Sequence, residues 1–335
     1  MNQKELDISE LKIIPGGILQ QRKLVIRFTG SEVNPVLVNC FRRISKLYIP
    51  TYAFYKDAID ITSLKSIFNR DMIRFRFMQL TPQNIDVPVL SLEQKYYQNV
   101  KWGDVNRIKH PKDDLDINIH LSYKNENREE EYVNVTTDHM KFYLNGKEQP
   151  NPYKNNPCLL IQLRPKEEII LSAKAVLGVG LGTGPKKLFG ELWSASGNSY
   201  AKVNSSNDIE LTIESKGQLS EYDILHRSAK IALLKLDNIE KIIDKKYQTE
   251  KFKQQNRVVI ILEDEDESVC NLINHYLQEQ DEVTMSSSIR INPNIYSIKM
   301  SILTKSESPL KVLQIAIDKT RNIIKNIEKI FKKYK

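Results

Sequence analysis

Five consecutive carboxylates, Glu263-Asp264-Glu265-Asp266-Glu267, separate a β-branched run from a helix-like segment in VVIILEDEDESVCNLINHYL (258–277). Such a cluster could hold a divalent cation or perform acid–base chemistry. Consecutive residues in a turn seldom converge on one ion. Acids just ahead of a helix are favoured by its dipole, and Ser268 is placed to cap that helix. The run is therefore expected to be a strand-to-helix junction, not a metal site. A second candidate is GVGLGTGPKK (178–187), whose glycines invite a phosphate. A phosphate loop needs Gly-x4-Gly-Lys-Ser/Thr, and Gly184 is followed here by Pro-Lys-Lys-Leu. A dinucleotide fingerprint needs a third glycine in step, a following helix and a later acid, and Pro185 fits that poorly. The segment is expected to be a loop. The five histidines are scattered, with no metal-ligand pair at i, i+4 and none in a nucleophile motif. No catalytic residue, cofactor or metal is expected.

The elements around these residues suggest a different kind of work. The chain has 335 residues, enough for two or three domains, and a net charge of +8. That charge suits a protein working near nucleic acid but is too mild and dispersed to mark a direct binder. Cys40, Cys158 and Cys270 are far apart and odd in number, which points to a reducing compartment and no disulfide framework. No window is apolar enough for a membrane span, and MNQKELDISELKIIPGG does not read as a secretory signal.

An internal repeat organises the chain. Asn-Ile-Glu-Lys-Ile occurs at 238–242 and again at 326–330. IELTIESK (209–216) reads as a strand, followed by a polar turn and an amphipathic helix over about 221–247. YSIKMSILTK (296–305) is again a strand, and a second long helix follows, with Ser308 as N-cap and Pro309 at its first position. Earlier, KLVIRF (23–28) precedes a helix carrying Asn39-Cys40, and RVVIIL (257–262) precedes one carrying Cys270-Asn271. The spacing predicts two copies of one α+β unit, forming a pseudo-dimer within one chain. Ile231 and Leu234 on one long helix, and Leu313, Ile317 and Ile324 on the other, are the expected helix–helix contacts. Residues 50–200 read as a mostly β insertion, with one helix at about 64–79 and strands in DINIHLSYK, EYVNVTT, MKFYLNG and CLLIQLRPKEEIILSAKAVLGV. The expected domains are 1–49 plus 201–250, the insert 50–200, and 251–335.

VNCFRRISKLYIPTYAF (38–54) resembles the signature of the α-like subunits of cellular RNA polymerases, with Asn39, Arg42, Arg43 and Ile49-Pro50-Thr51 at the matching positions. NRDMIRFRFMQLTP (69–82) is similar to the segment that follows in that family, through Asp71, Arg76 and Pro82. The spacing to Pro82 is one residue longer than usual. LIQLRPKEEIILSAKAVLGVGLGTGPKKLF (160–189) resembles the later part of the family's insert domain. EDESVCNLINHYL (265–277) resembles the acid-Asp-His-Thr-Leu-Gly-Asn run of the small partner subunit, with Glu267, Ser268 and Cys270 departing from it and Asn271 retained. The chain thus resembles a fusion of the third and eleventh subunits of RNA polymerase II, a form found in some large cytoplasmic DNA viruses. The resemblance leaves out the first 15 or so residues and the loop around 104–155.

The resemblance implies a non-catalytic assembly platform of a DNA-directed RNA polymerase. Its partners would be the two largest subunits and a small protein like the tenth or twelfth subunit, with no direct nucleic-acid or membrane contact. It implies Asn39, Arg42, Arg43, Asp71, Arg76 and Asn271 as partner-binding residues, and work in the host cytoplasm and the virion. Neighbouring helical residues point about 100° apart, so Arg42 and Arg43 cannot grip one bidentate partner together. Two solvated arginines are the plain alternative; the resemblance favours anchors for a larger subunit's carboxylates or carbonyls. Many relatives carry an insert-domain cysteine cluster for zinc or iron–sulfur; Cys158 is the one cysteine here, so no metal is expected. The rival readings are a nucleotide-binding enzyme using 178–187 and a nucleic-acid-binding module.

Overall fold

The computed structural model describes residues 6–15, 22–83, 85–92, 114–126, 131–180, 190–247, 256–263, 265–292, 295–306 and 308–334. It is a mixed α+β protein built on antiparallel sheets, with five α-helices among the described residues. Its internal contacts divide the chain into two units, one of residues 1–49, 196–215 and 220–335, the other of 50–195 and 216–219. Among the described residues no helix is long and apolar enough to cross a membrane.

In the first unit, β1 (Asp7–Ile14), β2 (Lys23–Thr29), β10 (Ser196–Ser205) and β11 (Asp208–Ser215) form a sheet in the order β1-β2-β11-β10. Period-2 alternation sets its inner face: Leu24, Ile26 and Phe28 lie opposite Ile213, Leu211 and Ile209, all buried. Strand β1 carries no clear alternation in sequence. A register shift between Glu10 and Lys12 turns Leu11 outward and breaks the pattern. A second sheet, in the order β12-β14-β13, consists of β12 (Arg257–Glu263), β13 (Val283–Asn292) and β14 (Ile295–Thr304). Its inner pairs are Val258 with Ile302, Ile260 with Met300 and Leu262 with Ile298.

Among the described residues of this unit there are four helices: α1 (Pro35–Leu47), α3 (Glu221–Tyr247), α4 (Glu267–Gln278) and α5 (Pro309–Lys333). The long helices α3 and α5 run antiparallel. Arg321 binds Asp237 and Glu240 at 2.7 and 2.8 Å, Gln314 donates to Glu240 at 2.6 Å, and His226 faces Glu328 at 3.8 Å. Ile231, Leu313, Ile317 and Ile324 are buried as the helical stripe requires. Leu234 is not: it is 37% exposed, and its counterpart in the repeat, Asn322, is exposed too. The face runs instead through Ala232, Lys235, Leu236, Ile239 and Ile243. Near its C-terminus, α5 inserts Phe331 between Phe28 and Phe41, at 6.3 and 5.9 Å between ring centres.

The other unit holds a five-stranded sheet, β3-β9-β4-β6-β7, and a two-stranded pair, β5-β8. Its strands are β3 (Thr51–Lys65), β4 (Ile117–Lys124), β5 (Val133–Thr136), β6 (Lys141–Leu144), β7 (Lys147–Gln149), β8 (Leu159–Leu163) and β9 (Glu168–Gly178). The helix expected at 64–79 is shorter. Strand β3 stays paired as far as Lys65 opposite Glu168, and α2 (Arg70–Met78) begins only after Asn69, whose side-chain Oδ1 accepts from the Met72 amide at 2.8 Å. Gln218 ties this unit internally: it accepts from the Tyr52 amide and donates to the Tyr52 and Pro82 carbonyls. Trp193 is buried and donates to the Val176 carbonyl at 2.7 Å.

Candidate functional site

Helix α1 begins where Asn34 accepts from the Leu37 amide at 2.8 Å and Pro35 fixes the first helical φ. Its buried positions are Leu37, Val38, Cys40, Phe41, Ile44 and Ser45, so Asn39 and Arg42 lie on the opposite side. Arg42 Nε donates to Asn39 Oδ1 at 2.9 Å. Partial burial and then the neighbouring Arg43 lower the Arg42 pKa, and among the described residues Arg42 has no carboxylate partner. On α4, counted from its own cap at Asp266, Asn271 stands at the same step as Asn39 counted from Asn34, and it is equally exposed.

Arg43 has a different fate. Its Nε donates to the Ser268 hydroxyl and its Nη2 to Asp266, both at 2.9 Å. Asp266, 2% exposed, is the N-cap of α4, where Ser268 was the expected one. It accepts from the Ser268 amide at 3.1 Å and hydroxyl at 2.8 Å. A carboxylate placed two residues earlier reaches the free amide and leaves Ser268 as the second helical residue. Beside it, Glu265 accepts from Lys235 Nζ at 2.6 Å, with 5% and 8% exposure respectively. Lys235 Nζ also lies 4.2 Å from the centre of the Tyr48 ring. Two of the five acids are thus drawn into the interior and not left in a solvated turn. They are the buried anionic half of an ion-pair network between α1, α3 and the start of α4.

The electrostatics follow from that geometry. Burial opposes the charge on Asp266, but Lys235 and Arg43 outweigh it and hold the carboxyl below its ordinary value. Burial likewise opposes the charge on Lys235; Glu265 and Asp266 reverse the effect and raise its pKa. Cys40 and Cys270 lie in the same interior, where burial pushes Cys40 up to about 12 and Cys270 well above the usual thiol range.

The remaining candidates sit on α2, within the other unit. Asp71 is exposed and pairs with Arg74 at 3.2 Å. Arg76 donates to the Leu160 carbonyl at 2.6 Å and stacks over Phe68, while Arg70 donates to the Ile61 carbonyl at 3.0 Å. Met72 and Phe75 are exposed on the same helix. Most of the loop at 178–187 lies outside the described residues, as do 104–113 and 127–130; the rest of 104–155 carries β4 to β7. Among the described residues no group of three or more His, Cys, Asp and Glu is placed to hold a metal ion. Lys235 is the site residue that sequence reasoning missed. A lysine among the apolar positions of α3 was its one visible signal, and its partner could not be read from spacing.

No family model matches the chain. Over 321 residues the chain is 26% identical to a protein of Acanthamoeba polyphaga mimivirus named "putative DNA directed RNA polymerase subunit". The match covers 89% of this chain and 87% of that protein.

Proposed function

We propose that the chain is a non-catalytic assembly subunit of a multisubunit DNA-directed RNA polymerase of a large DNA virus. In this reading the two strand–helix sets of the first unit form an intramolecular pseudo-dimer. They present Asn39, Arg42 and Asn271 to the two largest subunits. The observation that carries it is Arg42: a guanidinium oriented by Asn39, with its Nη groups unengaged among the described residues and an exposed asparagine at the matching step of the other helix. The relative named as a polymerase subunit, matched over most of both chains, supports it independently. Fusion makes pairing of the halves intramolecular and so independent of subunit concentration. Asp71 on α2 is a secondary contact, and Arg76 positions α2 against the carbonyl of Leu160. A small protein like the tenth or twelfth subunit completes the partner set, and the host cytoplasm and virion are where it works.

The test is co-expression with the two large subunits. Arg42→Glu is expected to reduce their recovery on the tagged chain by about tenfold or more while leaving the melting temperature near wild type. Undiminished recovery would refute the assignment of Arg42. Nucleotide turnover by the chain alone, or steeply salt-dependent DNA affinity, would instead favour the enzyme or nucleic-acid readings.

A further inference from the structure

The two strand–helix sets match in burial along most of their length and part company in charge. Counted from Asn34 and Asp266, the helices α1 and α4 bury Leu37 and Val269, Val38 and Cys270, Cys40 and Leu272, Phe41 and Ile273, and Ile44 and Tyr276 at the same steps. Aligned through Asn-Ile-Glu-Lys-Ile, α3 and α5 bury Leu225 and Leu313, Leu236 and Ile324, Ile239 and Ile327, and Ile243 and Phe331. At four stations where α1 and α3 meet the start of α4, the charge differs. The first set has cations at Arg43 and Lys235 where the second has His275 and Ile323. The second has acids at Glu265 and Asp266 where the first has Val33 and Asn34. In a pairing of equivalent surfaces each contact recurs with the roles exchanged. Here one occurrence is ionic, Arg43 to Asp266 at 2.9 Å; on the other side Asn34 meets no cation and donates instead to the hydroxyl of Tyr276, the residue after Arg43's counterpart His275, at 3.3 Å.

We infer that Arg43, Lys235, Glu265 and Asp266 determine which half pairs with which, directing the first half to the second and excluding self-pairing of either. This rests on the reading of the first unit as two paired halves. Pairing two first halves would set Arg43 and Lys235 against asparagine and valine, leaving a half-buried and a buried cation without a carboxylate. Pairing two second halves would bury Glu265 and Asp266 without Lys235 or Arg43. An unpaired buried charge is strongly destabilising. The charges therefore carry the discrimination that the duplicated apolar stripe cannot supply. They would keep two copies of the chain from pairing through like halves.

Full-length chains with a flexible Gly/Ser insertion and protease site at residue 250 test this, since the insertion frees the halves to exchange between molecules. Lys235→Glu alone and Glu265→Lys alone are each expected to lose about tenfold or more of soluble monomer. Co-expressed under different tags, they are expected to yield a mixed 1:1 dimer, because each first half then finds an opposite charge on the other chain. Lys235→Glu with Glu265→Lys in one chain should restore most of the monomer. A wild-type-like monomer from either single variant overturns the inference. So does failure of both rescues, since Lys235 would then be required for its packing on Tyr48 rather than its sign. Rescue in one chain without a mixed dimer also overturns it. Cleavage of the otherwise unaltered chain separates this from the underlying reading. Halves that stay together uphold two paired halves, and halves that separate and unfold overturn that reading and the inference with it.

Discussion

Helices α1 and α4 start with the same geometry and different chemistry. Asn34 and Asp266 both hold an extended backbone and accept an amide from the first turn, Leu37 in one case and Ser268 in the other. Asn34 then makes a neutral contact with Tyr276, while Asp266 receives Arg43 and lies in the field of Lys235. The same local motif therefore serves at one end only to begin a helix and at the other to anchor three helices to one another. Shape follows from the shared pattern, and the strength of each joint from where the two caps differ.

The largest expected effect comes from removing one member of the buried network. Asp266→Ala should destabilise the first unit by about 3–5 kcal/mol, because it strands Arg43 in a part-buried site and weakens the hold on Lys235. Asp266→Asn keeps a capping oxygen and loses only the charge, so it should retain a small part of that stability, about 1 kcal/mol. Equal effects from the two in urea unfolding would show that capping contributes nothing there, and a mild Asp266→Ala would break the contrast with Asn34.

The pH dependence has a definite sign. The native pKa of Asp266 is lowered from 3.8, so its contribution is complete above that value and disappears as pH falls through the lower native one. Lys235 is raised from 10.5, so its contribution is complete below that value and disappears as pH rises through the higher native one. The stability gap between wild type and Asp266→Asn should thus be level across neutral pH and shrink below about pH 4. A gap that closed well above pH 4 would show that a group other than Asp266 carries it.

These contrasts also mark what could be read from sequence. The strand–helix order, the long helix at 221–247 and the first turn at Pro309 were legible because each has a local signal: period, turn residues, proline. Strand β1 was not, because the irregularity at Leu11 interrupts its alternation. Arg42 and Arg43 looked alike as neighbours on one helix. They separate only when the start of α4 is placed beside one of them, 223 residues away in sequence. Lys235 and Glu265 are opposed by the packing of α3, and no spacing rule connects them. The acidic run was visible, but its meaning depended on which two of its members turned inward.

Smaller effects sharpen the same comparison. Asn34→Ala should cost about 1 kcal/mol, the ordinary value of a cap, with no pH dependence in the acid range. Native thiol labelling should modify exposed Cys158 well before Cys40 and Cys270, whose burial suppresses the thiolate. Loss of Asp266 should accelerate labelling of Cys40 and Cys270 far more than loss of Asn34, because it opens the interior that both share.

The smallest effect belongs to the third cap. Ser308 precedes α5 as Asn34 precedes α1, yet its hydroxyl makes no capping hydrogen bond. Its carbonyl already accepts from the amides of Lys311 and Val312 at 3.0 and 3.2 Å, and Pro309 sets the first helical φ while removing one amide that would need a partner. Ser308→Ala should therefore change stability by no more than about 0.5 kcal/mol, whereas the same truncation at Asn34 costs about twice that and at Asp266 several times more. The three truncations, read in one urea series, rank a cap by what lies beyond its own helix: backbone alone at Ser308, a neutral side chain at Asn34, a cation at Asp266. A Ser308→Ala cost as large as that of Asn34→Ala would mean that helix entry itself, and not its cross-helix partner, sets the order.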